Sequence, residues 1–295
     1  MFLNGQNIDA EFSGDSVILH NLTDFHPEHI FECGQAFRWH QDGDAYTGVV
    51  GNKLLKVARR NGDVVLFPCN REDFVKIWIP YFDLSRDYRK LKAVLSQNLV
   101  LQTAIEFGWG LRILQQDEWE TLISFIISSN NGIKRIKRII ENISCRFGSP
   151  FEWEGKTYYS FPDAARLAEA SEKQLMECGA GYRASYIIRT ARMVVEGFPL
   201  EELSSMDYLQ AKDRLMELPG VGPKVADCIL LFSMGFGQAF PIDVWIKRIM
   251  MHFYPDDCRD VKAMQEFVRS RYGNFAGYAQ QYLFFYGRAM KVGIS

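Results

Sequence analysis

The hydrophobic period changes once along this 295-residue chain, near residue 70. Before that point apolar residues come in short alternating runs, and after it they recur every three to four positions. SVILHNL, AFRWHQ, AYTGVV, KLLKVAR and VVLFPC are β-branched or aromatic, and the turn pairs Asp42-Gly43, Gly51-Asn52 and Asn61-Gly62 separate them. They predict a twisted antiparallel sheet. From Arg71 the spacing predicts helices over about 72–80, 86–106, 117–128, 133–146, 163–169, 171–178, 183–196, 207–217, 223–234, 243–253, 260–272 and 277–290. Asp117, Ser171, Asp207 and Asp243 stand where N-caps belong. The expected class is α+β, with a β-rich N-terminal part carrying some helices over 1–115 and a mostly helical part over 116–295. No repeat of 20–50 residues and no low-complexity linker interrupts it.

Composition narrows the function classes. The chain is 47% hydrophobic and 24% charged, which excludes disordered and collagen-like readings. No apolar run reaches the roughly 18 residues of a membrane helix. The start lacks a basic region followed by an apolar one, so no signal peptide is expected. The net charge of −2 gives no global signal for nucleic acid, yet a local patch is enough for docking. Cys33, Cys69, Cys145, Cys178, Cys228 and Cys258 share no metal-ligand spacing, so isolated thiols are expected for all but Cys228, which is taken separately.

The most informative string is Leu218-Pro219-Gly220-Val221-Gly222-Pro223-Lys224, between two helical patterns. Gly220 and Gly222 permit positive φ and close backbone approach. Pro223 suits the first turn of the next helix. Together they predict a helix–hairpin–helix over 207–234 whose second helix turns free N–H groups outward, where a phosphate can sit. A plain helix–helix turn with glycine stops is the simpler reading of two glycines alone.

The wider string LPGVGPKVADCI, followed by a Gly/Pro-rich loop and Pro241-Ile242-Asp243-Val244, resembles the helix–hairpin–helix DNA glycosylase superfamily. Cys33-Gly34-Gln35-Ala36-Phe37-Arg38-Trp39, Ser128-Ser129-Asn130-Asn131, Gly181-Tyr182-Arg183-Ala184 and Ala276-Gly277-Tyr278-Ala279-Gln280 narrow the resemblance to its 8-oxoguanine DNA glycosylases. These strings follow the family's order over nearly the whole chain. The resemblance implies a base-excision repair enzyme, acting on double-stranded DNA that contains 8-oxoguanine. It implies release of the base and a strand nick by β-elimination.

Under that resemblance Lys224 is the nucleophile that forms a Schiff base, for which it must be neutral. Read alone, it is equally a surface lysine touching phosphate. Asp243 is the catalytic aspartate, and also a plain N-cap. The base pocket takes Gly34, Cys228, Gln280, Phe284 and Pro241. The Gly34 carbonyl would accept the N7 proton that only the oxidised base carries. Gln280 would read the Watson–Crick edge, and Phe284, rather than Phe285, would stack on the base. Cys228 and Lys224, four residues apart on one helix face, would sense the altered dipole of the lesion through opposed charge. Asn130, Arg135, Tyr182 and Arg183 would fill and read the opposite strand at cytosine. Gly220, Gly222 and the backbone of Val225 would meet phosphate. Lys134, Arg135, Lys137, Arg138 and Arg146 form a basic segment expected to face DNA.

Two positions depart from the family's pattern. Trp245 stands where many members carry a histidine, and Gly132 where a third asparagine is common. The C-terminal four-cysteine pattern of endonuclease III-like relatives is missing, so no iron–sulfur cluster is expected. The carbonyls of Met216, Leu218 and Val221 are candidate ligands for a sodium or potassium ion, as in related hairpins. A monomer in a prokaryotic cytoplasm, associated with the nucleoid, is the expected setting. Two rivals stay open: a glycosylase for another damaged base, and a non-catalytic DNA-binding module.

Overall fold

The computed structural model describes the backbone of residues 2, 3 and 6–293, with side chains from Ile8 onward. An antiparallel sheet occupies the N-terminal part, in the order Ala10–Ser13, Ser16–Leu19, Asp63–Phe67, Lys53–Arg60, Ala45–Val50, Trp39–Asp42. Val17, Leu19, Val64 and Leu66 alternate inward along two of these strands, as a half-buried strand requires. They pack on a core that holds Phe31, Trp39, Phe74, Trp78, Tyr81 and Phe82. Trp39 stacks on Phe31 at 4.0 Å, and its ring N–H donates to Tyr81 Oη at 2.8 Å.

The sheet departs from expectation at two places. The AFRWHQ run becomes strand only at Trp39, and residues 32–38 form an irregular turn that reaches the helical core. A further hairpin, Pro150–Trp153 with Lys156–Tyr159, was not expected from the sequence. Its two strands carry Glu152, Lys156 and Thr157 among the aromatics, so they lack a clean apolar face.

The helices follow their caps. Asp117, Ser171, Asp207 and Asp243 each accept backbone N–H groups at helix starts, and Ser171 forms a full capping box with Gln174. The pattern over 86–106 is two helices, Tyr88–Leu95 and Leu99–Phe107, because the Asn98 side chain caps a new start at Leu101 N. The segment Arg71–Tyr81 widens to a π-helical turn over Phe74–Trp78. Tyr88, Leu91, Leu95, Leu101 and Ile105 belong to the same core as the C-terminal helices, although they precede residue 116. Cys33 and Phe37 from the irregular turn also enter that core. Among the described residues no helix is long and apolar enough to cross a membrane.

Candidate functional site

Helix Pro223–Phe232 opens at Gly222 without a side-chain cap. Pro223 has no N–H, so the backbone N–H groups of Lys224 and Val225 are the free donors of this helix start. The turn before it is rigid. Gly220 has φ +84° and lies against Tyr186 and Ile126, and Thr190 Oγ1 donates to the Pro219 carbonyl at 3.0 Å. Gly222 differs: its φ is −99°, and a Cβ there would meet nothing within 4 Å. The fold therefore requires glycine at 220 but not at 222. Val225 buries its side chain and offers only its backbone outward.

Lys224 projects from the first turn and is half-buried. Its Nζ donates to Ser128 Oγ at 3.4 Å and lies 5.2 Å from the Phe125 ring centroid. Among the described residues no carboxylate lies within ion-pair distance of it, so the structure does not join Lys224 to Asp243. Asp243 caps helix Val244–Phe253 through Oδ1, which accepts Ile246 N–H at 2.8 Å. One turn beyond Lys224, Cys228 is buried. Burial, more than the Lys224 charge opposes or the Asp243 charge assists, pushes its thiol up to about 11. Burial thus favours the neutral thiol, against the opposed charge expected of the Cys228–Lys224 pair.

The turn at 32–38 meets the far end of the segment 128–133. Ser128 touches Lys224, while Ile133 Cδ1 lies 3.2 Å from where a Cβ on Gly34 would sit. Gly34 has φ +85°, a conformation that favours glycine. Phe284 Cε1 lies 3.4 Å from the same point, so this ring faces Gly34. Phe285 turns away, onto His29 and Phe107. Gln280 is 4% exposed, and its Oε1 is buried without a hydrogen-bond partner. Such an acceptor in a native fold calls for a function. Pro241 is buried in the loop before Asp243.

The expected opposite-strand residues divide into two groups. Asn130 is exposed and left-handed at φ +53°, held there by its neighbour Asn131, whose Nδ2 donates to the Ile127 carbonyl at 2.8 Å. Tyr182 is 59% exposed, and Arg135 is exposed on the first turn of helix Ile133–Phe147. Arg183 is only 4% exposed. Its guanidinium donates to the carbonyls of Ser129 and Ala180 and packs on Tyr182, so it is turned inward rather than outward. The basic segment is also smaller than expected. Lys137 bonds Glu32 at 3.1 Å and the Trp39 carbonyl at 3.0 Å, and Arg146 pairs with Glu177 at 2.7 Å. Lys134, Arg135 and Arg138 remain exposed.

Sequence reasoning missed several supporting groups. Gln35 braces the irregular turn: its amide donates to the Ile30 and Arg112 carbonyls, and its Oε1 accepts Leu114 N–H. Its place inside the GQAFRW string was the available signal. Gln281 and Arg288 hold the neighbouring carbonyls, and only their being polar on a buried helix marked them. Phe125 and Ser128 read as ordinary helix residues until the fold set them beside Lys224.

Comparison with known proteins accounts for this arrangement. Residues 17–122 match the 8-oxoguanine DNA glycosylase N-terminal domain, and residues 123–271 match the HhH-GPD superfamily of base excision DNA repair proteins. N-glycosylase/DNA lyase OGG1 of Arabidopsis thaliana is 32% identical over 280 residues, covering 86% of this chain and 75% of the relative. The N-glycosylase/DNA lyase of Saccharomyces cerevisiae is 31% identical over 309 residues, covering 86% and 81%. The 8-oxoguanine glycosylase/lyase of Clostridium acetobutylicum, solved with double-stranded DNA containing cytosine opposite 8-oxoG, is similar at a TM-score of 0.94 and 42% identity. That match covers 97% of this chain and 100% of the other. The chain belongs to the 8-oxoguanine DNA glycosylase/lyase family within the HhH-GPD superfamily of base excision DNA repair proteins.

Proposed function

We propose that this chain excises 8-oxoguanine from duplex DNA opposite cytosine and then nicks the abasic strand. One observation carries the reading: among the carbonyls of residues 32–35, those of Glu32, Cys33 and Gln35 each accept a side-chain donor and that of Gly34 does not, and Phe284 Cε1 lies 3.4 Å from the Cβ position of Gly34. Guanine and 8-oxoguanine differ at N7, which is an acceptor in the first and a donor in the second. A fixed acceptor therefore favours the lesion, because it leaves a lone-pair clash with normal guanine.

The remaining steps follow from the groups around it. The extruded base stacks on Phe284, and Gln280 supplies the unpartnered Oε1 to a donor on its Watson–Crick edge. Cys228 contributes shape and a weak S–H donor, not a negative pole. Lys224 loses its proton and its amine attacks C1′ of the deoxyribose. The glycosidic bond breaks and its electron pair leaves with the base, which takes up a proton. Asp243 keeps one carboxylate oxygen on its helix cap and turns its charge toward the cationic sugar. Opening of the sugar gives an iminium on Lys224; loss of a C2′ proton then expels the 3′-phosphate. Asn130, Tyr182 and Arg135 meet the opposite strand, and Arg183 joins them by exchanging its Ser129 contact for cytosine. The free N–H groups of Lys224 and Val225, below Gly222 and Gly220, take a phosphate.

No redox group or metal is needed for these steps. The carbonyls of Met216, Leu218 and Val221 are proposed to hold a monovalent cation; that of Leu218 accepts Val221 N–H at 3.1 Å and keeps its second lone pair. The proposed setting is a monomer in a prokaryotic cytoplasm, supported by the likeness to the Clostridium protein.

Borohydride trapping on duplexes with 8-oxoguanine opposite each of the four bases tests the proposal. A covalent complex that forms best opposite cytosine, and is lost in Lys224→Gln while binding persists, is expected. No complex and no alkali-labile abasic site on any of the four would overturn the lesion assignment.

A further inference from the structure

Three of the four carbonyls in the run 32–35 are taken by side chains. Arg288 Nη2 donates to the Glu32 carbonyl at 2.6 Å, Gln281 Nε2 to the Cys33 carbonyl at 2.9 Å, and Gln116 Nε2 to the Gln35 carbonyl at 2.8 Å. Gln281, Phe284 and Arg288 lie at i, i+3 and i+7 on helix Ala276–Ala289, so one helix face carries the two clamping donors and the ring between them. The Arg288 guanidinium carbon is 5.4 Å from the Phe284 ring centroid. Its Nη1 lies 3.5 Å from the Cβ position of Gly34 and is buried without a partner. Burying half a guanidinium unsatisfied is unfavourable for stability, and an apolar residue would fill the place better if packing were the only demand.

We propose that Arg288 and Gln281 are positioning residues that fix the polarity of the lesion-reading peptide. This rests on the reading of the Gly34 carbonyl as the acceptor for N7–H. The peptide between Gly34 and Gln35 follows a glycine at φ +85°, where the backbone rotates with little steric penalty. Rotation of that single peptide by half a turn replaces the Gly34 C=O with the Gln35 N–H. An acceptor becomes a donor, and the preference passes from 8-oxoguanine to the N7 lone pair of normal guanine. Gln281 and Gln116 pin the peptides on either side, 33–34 and 35–36, and Arg288 pins the next one out, 32–33, so the run as a whole opposes the rotation. Arg288 secures the Phe284 ring at the same time, so the stacking surface and the reading group move together or not at all.

The test uses wild type, Arg288→Leu, Arg288→Lys and Gln281→Leu. Nicking of a labelled duplex with a preformed abasic site is measured while unlabelled duplexes compete, holding 8-oxoguanine, 8-bromoguanine or guanine. Both modified bases fill the C8 side, but only 8-oxoguanine carries the N7 proton. Wild type is expected to prefer 8-oxoguanine over 8-bromoguanine, and Arg288→Leu and Gln281→Leu to lower that ratio about tenfold each, the worth of one well-placed hydrogen bond. Nicking without competitor stays within twofold, and Arg288→Lys recovers part of the ratio. A ratio held within twofold in both leucine variants overturns the clamp. So does a parallel loss on nicking and on all three competitors, which would mark a structural role alone. A wild type indifferent to the N7 proton would remove the Gly34 reading itself, and the clamp with it.

Discussion

Two glycines two residues apart in the hairpin have opposite reasons for being glycine, and alanine at each separates them. At Gly220 the alanine is forced into φ +84°, and its Cβ would lie 3.0 Å from Tyr186 Cδ2 and 3.2 Å from Ile126 Cγ2. The left-handed conformation costs about 1–2 kcal/mol and the overpacking about 1–3 kcal/mol. Gly220→Ala should therefore lose about 2–5 kcal/mol of stability, a fall in Tm of roughly 5–10 °C. At Gly222 the φ is ordinary and the space is open. Alanine there loses about 0.5–1 kcal/mol as a helix cap and regains about as much from a less flexible unfolded chain. Its Tm should match wild type. Yet under the proposed phosphate contact its methyl group would crowd the approach to the free N–H groups of Lys224 and Val225. Binding of any duplex, damaged or not, should weaken about tenfold, since the lost contact carries no sequence information. Melting curves and fluorescence anisotropy at fixed salt provide both readings. A Gly222→Ala protein that binds undamaged duplex as wild type does would refute the reasoning, because the glycine would then have no purpose inside the protein or outside it.

Other perturbations follow from the same contacts. Gln280→Leu removes an acceptor that bonds nothing in the free protein, so stability should hold or rise by about 1 kcal/mol while 8-oxoguanine excision falls at least about tenfold; a large loss in Tm would make Gln280 structural instead. Arg135→Ala should reduce the slope of log affinity against log salt by about one, whereas Lys137→Met should leave the slope alone and lower the Tm, because Lys137 ties helix Ile133–Phe147 to Glu32 and Trp39. Cys228 holds its proton in the fold to about 11 against an ordinary 9.0, so the native state binds more protons between these values. Wild type should lose stability relative to Cys228→Ala as pH rises through that window, and the two should share the shape of their pH–rate profiles from pH 7 to 9; a limb that vanishes in the alanine variant would reveal a thiolate.

Much of the site was legible because its residues occupy positions that local chemistry marks. Pro223, the two glycines and Asp243 announce helix starts, and the four-residue spacings of Lys224 with Cys228 and of Gln280 with Phe284 place each pair on one face. The register also separated Phe284 from Phe285. What the sequence withheld is which partner a polar group finds. Lys137 and Arg183 look like free cations in their own segments, but the folded chain brings Glu32 and the Ser129 carbonyl to them over separations of 105 and 54 residues. The break in the 86–106 pattern depended on one side chain, Asn98, which the apolar period does not register. The hairpin at 150–159 escaped because each strand is only four residues long and the Phe151–Trp153 face meets Lys156 as well as Tyr158 across the pair. Three occupied carbonyls beside a free one are a tertiary fact, since their donors come from residues 116, 281 and 288.

The inward turn of Arg183 bears on how such a protein travels along DNA. An exposed guanidinium near the stacked bases would find O6 and N7 of each guanine it passed, the commonest of specific side-chain contacts. Every such encounter would be a pause, and undamaged sequence contains guanine at every few steps. Held by the Ser129 and Ala180 carbonyls and only 4% exposed, Arg183 keeps its guanidinium out of reach in passing. The proposed exchange frees that guanidinium from Ser129, and the segment 128–133 that contains Ser129 touches both Lys224 and the Gly34 turn. Under the proposed exchange at Arg183, rapid transit over intact duplex and a firm hold at an opened site would both follow from one carbonyl changing its companion.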